Sequence, residues 1–185
     1  MVLRPTQPLE AIPSLERFQA MGLVHVEIAW RDQPGWSEAC SDLVRRFPGL
    51  RLGAASVCTA AAVAAAARAG LGYAVSPVLD PDLQLDAERH GLTLVPGVMT
   101  PSEVHAARRL GCRLVKLFPA ATLGLAHWAR LRVPLGADLP FCIAAGGLAP
   151  EEVRSWLEAG VNAVTLGSRL SDDGALADLL RDLGT

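Results

Sequence analysis

The chain has 185 residues, 51% of them hydrophobic, and a formal net charge of −2. That suits one domain over 1–185 with a sizeable core, and the near-neutral balance leaves no footprint for nucleic acid or an anionic membrane surface. No apolar stretch reaches spanning length and the N-terminus lacks the long apolar core of a leader peptide, so the expected setting is the cytoplasm.

In chain order, short apolar strands alternate with amphipathic helices at a step of roughly twenty residues, the pattern of consecutive βα units. Strands are expected at residues 1–4, 24–28, 50–54, 73–76, 93–95, 114–118, 141–144 and 163–166, each followed by a helix. The first is shortened, with only Met1, Val2 and Leu3 before Arg4. Thr100-Pro101-Ser102-Glu103 announces a helix, with proline in the first turn and an acid after it. Gly70, Gly91, Gly111 and Gly160 each fall between a helix and the next strand, where a left-handed C-terminal cap belongs. Eight such units close into a (β/α)₈ TIM barrel, of minimal length against the typical ~250 residues. An open doubly wound sheet is the alternative. No linker, low-complexity segment or second domain is visible.

The second expected strand alternates. Val24, Val26 and Ile28 share one face; His25, Glu27, Ala29 and Arg31 share the other. The outer face of a barrel strand packs on helices and is apolar, so Glu27 and Arg31 are expected to point into the lumen. In the sixth strand Val115 and Leu117 face out, while Leu114, Lys116 and Phe118 face in. Lys116 is the only lysine in the chain. Arginine stays protonated in proteins, whereas a desolvated lysine gives up its proton readily and becomes a nucleophilic amine. An acid, a guanidinium and an amine are thus expected to converge on one interior near the carboxyl ends of their strands, where barrel enzymes build active sites. Two plainer readings stand beside this one. Lys116 snorkels from a strand end, or Glu27 and Lys116 form a buried ion pair with Arg31 solvated at the rim.

Cys40, Cys58, Cys112 and Cys142 show no C-x-x-C spacing and read as small buried hydrophobes of a reducing compartment. His25, His90, His105 and His127 form no ligand-spaced cluster, so no metal is expected. His25 reads as a satisfied core histidine, and Trp30, Trp36, Trp128 and Trp156 as packing or interface residues.

Several segments resemble one family. Val26-Glu27-Ile28-Ala29-Trp30-Arg31 is similar to the V-E-[VI]-x-x-R strand of the class I 2-keto-3-deoxy-6-phosphogluconate (KDPG) and 4-hydroxy-2-oxoglutarate (KHG) aldolases. Gly53-Ala54-Ala55-Ser56-Val57 resembles their G-A-G-T-V, and Val75-Ser76-Pro77 their [IV]-S-P. Pro96-Gly97-Val98-Met99-Thr100-Pro101-Ser102-Glu103 matches P-G-x-x-T-x-[ST]-E, and Val115-Lys116-Leu117-Phe118-Pro119-Ala120 looks like F-K-F-F-P-A, the strand of the Schiff-base lysine. Gly146-Gly147 and Gly167-Ser168 fall where the family's two phosphate-binding turns lie. The chain departs from the pattern at Ser56 (usually threonine), at Ala144-Ala145 (often Pro-Thr) and at Thr59-Ala60-Ala61, which lacks a Pro-Glu helix start.

The resemblance implies reversible cleavage of a 2-keto-4-hydroxy acid into pyruvate and an aldehyde, with no cofactor and in a homotrimer. Lys116 is then the Schiff-base amine and Glu27 the proton shuttle. Arg31 holds the substrate carboxylate. Ser56 and Thr100 add hydroxyls, Phe118 shapes the pocket, and Arg4 matches an arginine on the family's first strand. Gly146, Gly147, Gly167 and Ser168 receive a phosphate through backbone N–H groups. Thr100 has a competing reading as a helix cap, and the glycines as plain strand-to-helix turns. A non-catalytic barrel that binds a phosphorylated or keto-acid metabolite is the alternative for the whole chain. A metal-dependent aldolase is a third reading, disfavoured by the scattered ligands.

Overall fold

The computed structural model describes residues 1–136, 138–167 and 173–183. The strands are β1 (Val2–Leu3), β2 (His25–Ala29), β3 (Arg51–Ala55), β4 (Tyr73–Val75), β5 (Thr93–Val95), β6 (Gly97–Val98), β7 (Leu114–Leu117), β8 (Phe141–Ala145) and β9 (Ala163–Thr165). The helices are α1 (Ile12–Ala20), α2 (Trp36–Arg46), α3 (Ala60–Arg68), α4 (Pro81–Arg89), α5 (Pro101–Arg109), α6 (Ala120–Leu123), α7 (Ala126–Leu135), α8 (Val153–Glu158) and α9 (Asp173–Leu183). The expected strands fall within one residue of their positions at each end.

Two sheets result, in the orders β1-β2-β3-β4-β5 and β6-β7-β8-β9. Neighbouring strands run parallel from β1 to β4 and from β6 to β9, as βαβ connections require. The chain forms two compact units. The first comprises Met1–Ser76 with Pro81–Leu94, and the second comprises Pro77–Asp80 with the described residues from Val95 to Leu183.

The sequence pattern does not anticipate β6. Pro96 follows β5 directly and has no N–H to give a ladder, so the strand breaks there and resumes at Gly97. In the second unit Gly97 pairs with Lys116, and its N–H donates to the Val78 carbonyl at 3.2 Å. A Cβ on Gly97 would lie 2.2 Å from the Pro77 oxygen, so only glycine fits this close backbone approach.

Each unit has an apolar core of its own. In the first, Val26, Ile28, Leu15, Trp36, Leu43 and Val63 are fully buried, and the Trp36 indole N–H donates to Ala29 O at 3.3 Å. Alanine-rich α3 packs against α2 and α4, and the Ser37 hydroxyl reaches Ala65 O at 3.1 Å. In the second, Val104, Val115, Leu117, Trp128 and Trp156 play the same part, with the Trp128 indole bonded to Gly160 O. Gly70, Gly91, Gly111 and Gly160 all have positive φ, as expected of helix-ending caps.

Candidate active site

In the first unit, register places Val2 opposite Glu27, Glu27 opposite Gly53, and Gly53 opposite Tyr73. Directly paired residues of parallel strands project on the same face, so these four form a row across β1–β4. Glu27 is buried, 6% exposed, among apolar neighbours on its own strand. The Tyr73 ring occupies the space Gly53 leaves open, since a Cβ there would lie 2.5 Å from ring atoms Cε2 and Cζ. The His25 ring packs on Tyr73 with centroids 5.9 Å apart. Burial, and then the charge of Glu27, push the Tyr73 phenol well above its ordinary range, so it is neutral at any working pH.

At the carboxyl ends of the same strands, Arg4 Nη1 donates to Ser56 Oγ at 3.1 Å and Arg31 Nε donates to Pro5 O at 3.0 Å. Ser56 has φ of 61°, the only positive value at a non-glycine among the described residues. Left-handed backbone at a serine is held only by its surroundings, and such strain gathers at binding sites. The Ser56 oxygen accepts from Arg4 and keeps its own proton for a further acceptor.

Four expectations need correction here. Arg31 does not lie on the β2 inner face: the strand ends at Ala29, and Arg31 is an exposed residue of the segment that follows. His25 is no core histidine, and Val24 does not pack against helices. Both are exposed at the point where β2 begins, before its buried stretch. Cys58 is exposed and Cys112 half-buried, so only Cys40 and Cys142 behave as buried hydrophobes. Burial pushes each of those two thiols up to about 12, which leaves them protonated and inert.

In the second unit, Lys116 sits in β7, 8% exposed, between the fully buried Val115 and Leu117. Its backbone N–H donates to Pro96 O at 2.8 Å, and its Nζ lies 4.5 Å from the centroid of the Phe118 ring. Lys116 and Phe118 therefore share a face, as alternation predicts. The Phe118 ring in turn leans on the glycine turn after β8: a Cβ on Gly146 would meet it at 2.8 Å. Gly146 and Gly147 have φ of 98° and 80°, and a Cβ on Gly147 would lie 3.1 Å from that of Ala121. Both positions thus need glycine for backbone reasons. A Cβ on Gly167 would meet nothing among the described residues, while Ser168 lies outside them.

Thr100 caps α5. Its oxygen accepts from Glu103 N, and Glu103 Oε2 accepts from Thr100 N at 2.7 Å, Met99 N at 2.8 Å and the Thr100 hydroxyl at 2.9 Å. Of its two expected roles, capping is the one this geometry displays. On the other side of Met99, His127 Nε2 meets the Met99 carbonyl at 2.6 Å, so that backbone is held from both directions. Among the described residues no three His, Cys, Asp or Glu side chains gather as a metal site.

Sequence reasoning missed Tyr73 and the purpose of Gly53. A signal existed: Tyr73 is the only tyrosine, and it opens a strand one step across from a glycine.

Comparison with known proteins bears on the whole chain. The family model described as KDPG and KHG aldolase matches residues 1–180. The 2-dehydro-3-deoxy-6-phosphogalactonate aldolase of Escherichia coli is 30% identical over 170 residues, covering 91% of this chain and 82% of that one. A probable aldolase of the same name from Rhizobium meliloti is 31% identical over 181 residues, covering 97% and 84%. Among solved structures, the 2-keto-3-deoxy-6-phosphogluconate aldolase of Zymomonas mobilis superposes with a TM-score of 0.81 at 26% identity, covering 98% of this chain and 89% of its own. The fold is TIM-barrel-like and the protein is an enzyme, a carbon–carbon lyase. The chain belongs to the KDPG and KHG aldolase family.

Proposed function

We propose that this aldolase works through a Schiff base on Lys116, cleaving a 2-keto-4-hydroxy acid such as KDPG, its galactonate epimer or 4-hydroxy-2-oxoglutarate to pyruvate and an aldehyde. The observation that carries the reading is the position of the chain's single lysine: buried in an apolar strand, with its amine beside the Phe118 ring. The neutral amine adds to the substrate ketone and loses water to give an iminium, which draws the electron pair of the C3–C4 bond as that bond breaks. The aldehyde leaves, the enamine takes a proton at C3, and water releases pyruvate. Glu27 carries the protons: it helps dehydrate the carbinolamine, accepts the C4 hydroxyl proton and returns a proton to the enamine.

Arg31 holds the substrate carboxylate with its Nη groups, since Nε is committed to Pro5 O. Ser56 donates its hydroxyl proton to the same group, and the Arg4 contact holds that hydroxyl in place. Phe118 shapes the wall beside the iminium. Backbone N–H groups at Gly146, Gly147, Gly167 and Ser168 receive the phosphate of a phosphorylated substrate. On this reading residues 1–185 act as one catalytic domain, in the cytoplasm and as a homotrimer, with no cofactor.

Trapping with pyruvate and borohydride tests the central step. One reduced adduct per chain on Lys116 is the expected outcome, because the only other amine is at the chain terminus. An adduct confined to the terminus would end the Schiff-base reading. Loss of activity on chelation, restored by a divalent ion, would point to the metal-dependent class.

A further inference from the structure

We infer that Tyr73 is a positioning residue for Glu27: its ring, seated in the notch left by Gly53, forms a fixed wall beside the carboxylate. The inference rests on the proposed proton-transfer role of Glu27. Three observations within the first unit carry it.

Register sets Glu27, Gly53 and Tyr73 side by side on β2, β3 and β4, projecting on one face. Neighbouring strands stand about 4.8 Å apart, so Tyr73 begins two strand spacings from Glu27. The missing side chain at Gly53 removes what would otherwise stand between them. The ring fills that gap, because Cε2 and Cζ lie 2.5 Å, and Cδ2 2.8 Å, from where a Cβ would be. These atoms include the hydroxyl-bearing end, so the ring lies across β3 in the direction of β2. His25, two residues before Glu27 on the same face, packs on the ring at a 59° tilt.

The charge of Glu27 is felt at the phenol, which burial and that carboxylate together hold in its neutral form. A side chain that stays uncharged beside a proton-transfer acid excludes water without adding a competing charge. An acid that moves protons to a carbon must be held within a fraction of an ångström of its working place, and a misplacement of about 1 Å costs roughly 10²-fold in rate. A rigid aromatic ring against the strand backbone supplies such a hold, and a flexible aliphatic chain does not.

The test reads Glu27 chemistry directly, as exchange of the pyruvate methyl protons with deuterium in D₂O, which needs enamine formation and reprotonation but no aldehyde. Tyr73→Leu should lower the maximal exchange rate about 10- to 100-fold with the KM for pyruvate little changed. Tyr73→Phe, which keeps the ring, should restore it. Gly53→Ala keeps every native side chain but displaces the ring, and should reproduce the loss if Tyr73→Leu does not fold. In a Glu27→Gln background Tyr73→Leu should cost nothing further.

An unchanged exchange rate in Tyr73→Leu overturns the inference, as does failure of Tyr73→Phe to rescue. So does a loss that persists undiminished in the Glu27→Gln background, which would mark a general effect on the fold. Normal exchange in Glu27→Gln alone would remove the Glu27 assignment and this inference with it. Slow exchange in Glu27→Gln with normal exchange in Tyr73→Leu would remove this inference only.

Discussion

The first unit offers side chains where the second offers a single amine and bare backbone. In the first, Arg4 binds Ser56, Arg31 binds the Pro5 carbonyl, and Glu27 shares a row with Tyr73. In the second, Lys116 stands between Val115 and Leu117 beside an aromatic ring, and the turn after β8 is made of two left-handed glycines. The contrast separates two physical problems. Holding a carboxylate and moving protons calls for directional donors and acceptors. Keeping an amine nucleophilic calls for a surrounding that penalises its ammonium form. On the proposed roles, the first unit takes the former task and the second the latter.

The largest effect that would break this division is at Lys116. Lys116→Arg keeps a cation in β7 but removes the only side-chain amine, and kcat should fall on the order of 10⁴-fold or more, as when a nucleophile is deleted elsewhere. Full activity would return Lys116 to a structural part. Glu27→Gln keeps the shape of the side chain but cannot accept a proton at neutral pH. It should cost roughly 10²–10⁴-fold in kcat with a much smaller change in KM. Normal kcat with a lowered thermal midpoint would make Glu27 a structural partner and leave the proton shuttle without a residue in the first unit.

A smaller effect sharpens the contrast within the second unit. Gly146 and Gly147 are poor places to test phosphate binding, since any side chain there is strained by φ and meets Phe118 or Ala121. At Gly167 a Cβ would meet no described residue, and its φ is not left-handed. Gly167→Asp should raise the KM for a phosphorylated substrate by roughly 10- to 100-fold through like-charge repulsion, and barely affect an unphosphorylated one. Equal damage to both would make these turns structural.

Much of this was legible in advance because it depends on local periodicity. Strand positions follow from two-residue alternation, helix ends from Gly70, Gly91, Gly111 and Gly160, and the face of Lys116 from its place between Val115 and Leu117. What was not legible depends on where elements stop. Alternation carried past Ala29 puts Arg31 on the inner face, yet the strand has ended by then, and carried back to His25 it buries a residue that solvent reaches. Pro96 was read only as part of a motif, and β6, the short strand that begins just after it, was not expected at all. Tyr73 was passed over because its meaning lies in a cross-strand partner, Gly53, and pairing between strands twenty residues apart is not written in either strand alone.

The smallest expected effect separates the two roles of Thr100. As the α5 cap, its hydroxyl both accepts from Glu103 N and donates to Glu103 Oε2, so Thr100→Ala should cost about 1 kcal/mol, a fall of roughly 2–4 °C in Tm for a chain of this size. Thr100→Ser should recover most of it. The partner gives the effect a pH signature. Burial pushes the Glu103 carboxyl up, but the N–H groups of Met99 and Thr100 and the Thr100 hydroxyl outweigh it and hold the group below its ordinary value of 4.5. A carboxylate with a depressed folded value contributes fully above the ordinary value and loses that contribution as pH falls through the folded one. The Tm difference between the parent and Glu103→Gln should therefore be flat above about pH 5 and shrink on further acidification. A Thr100 that serves the substrate instead would behave differently: Thr100→Ala would raise KM, leave Tm where it was, and show no link to the titration of Glu103.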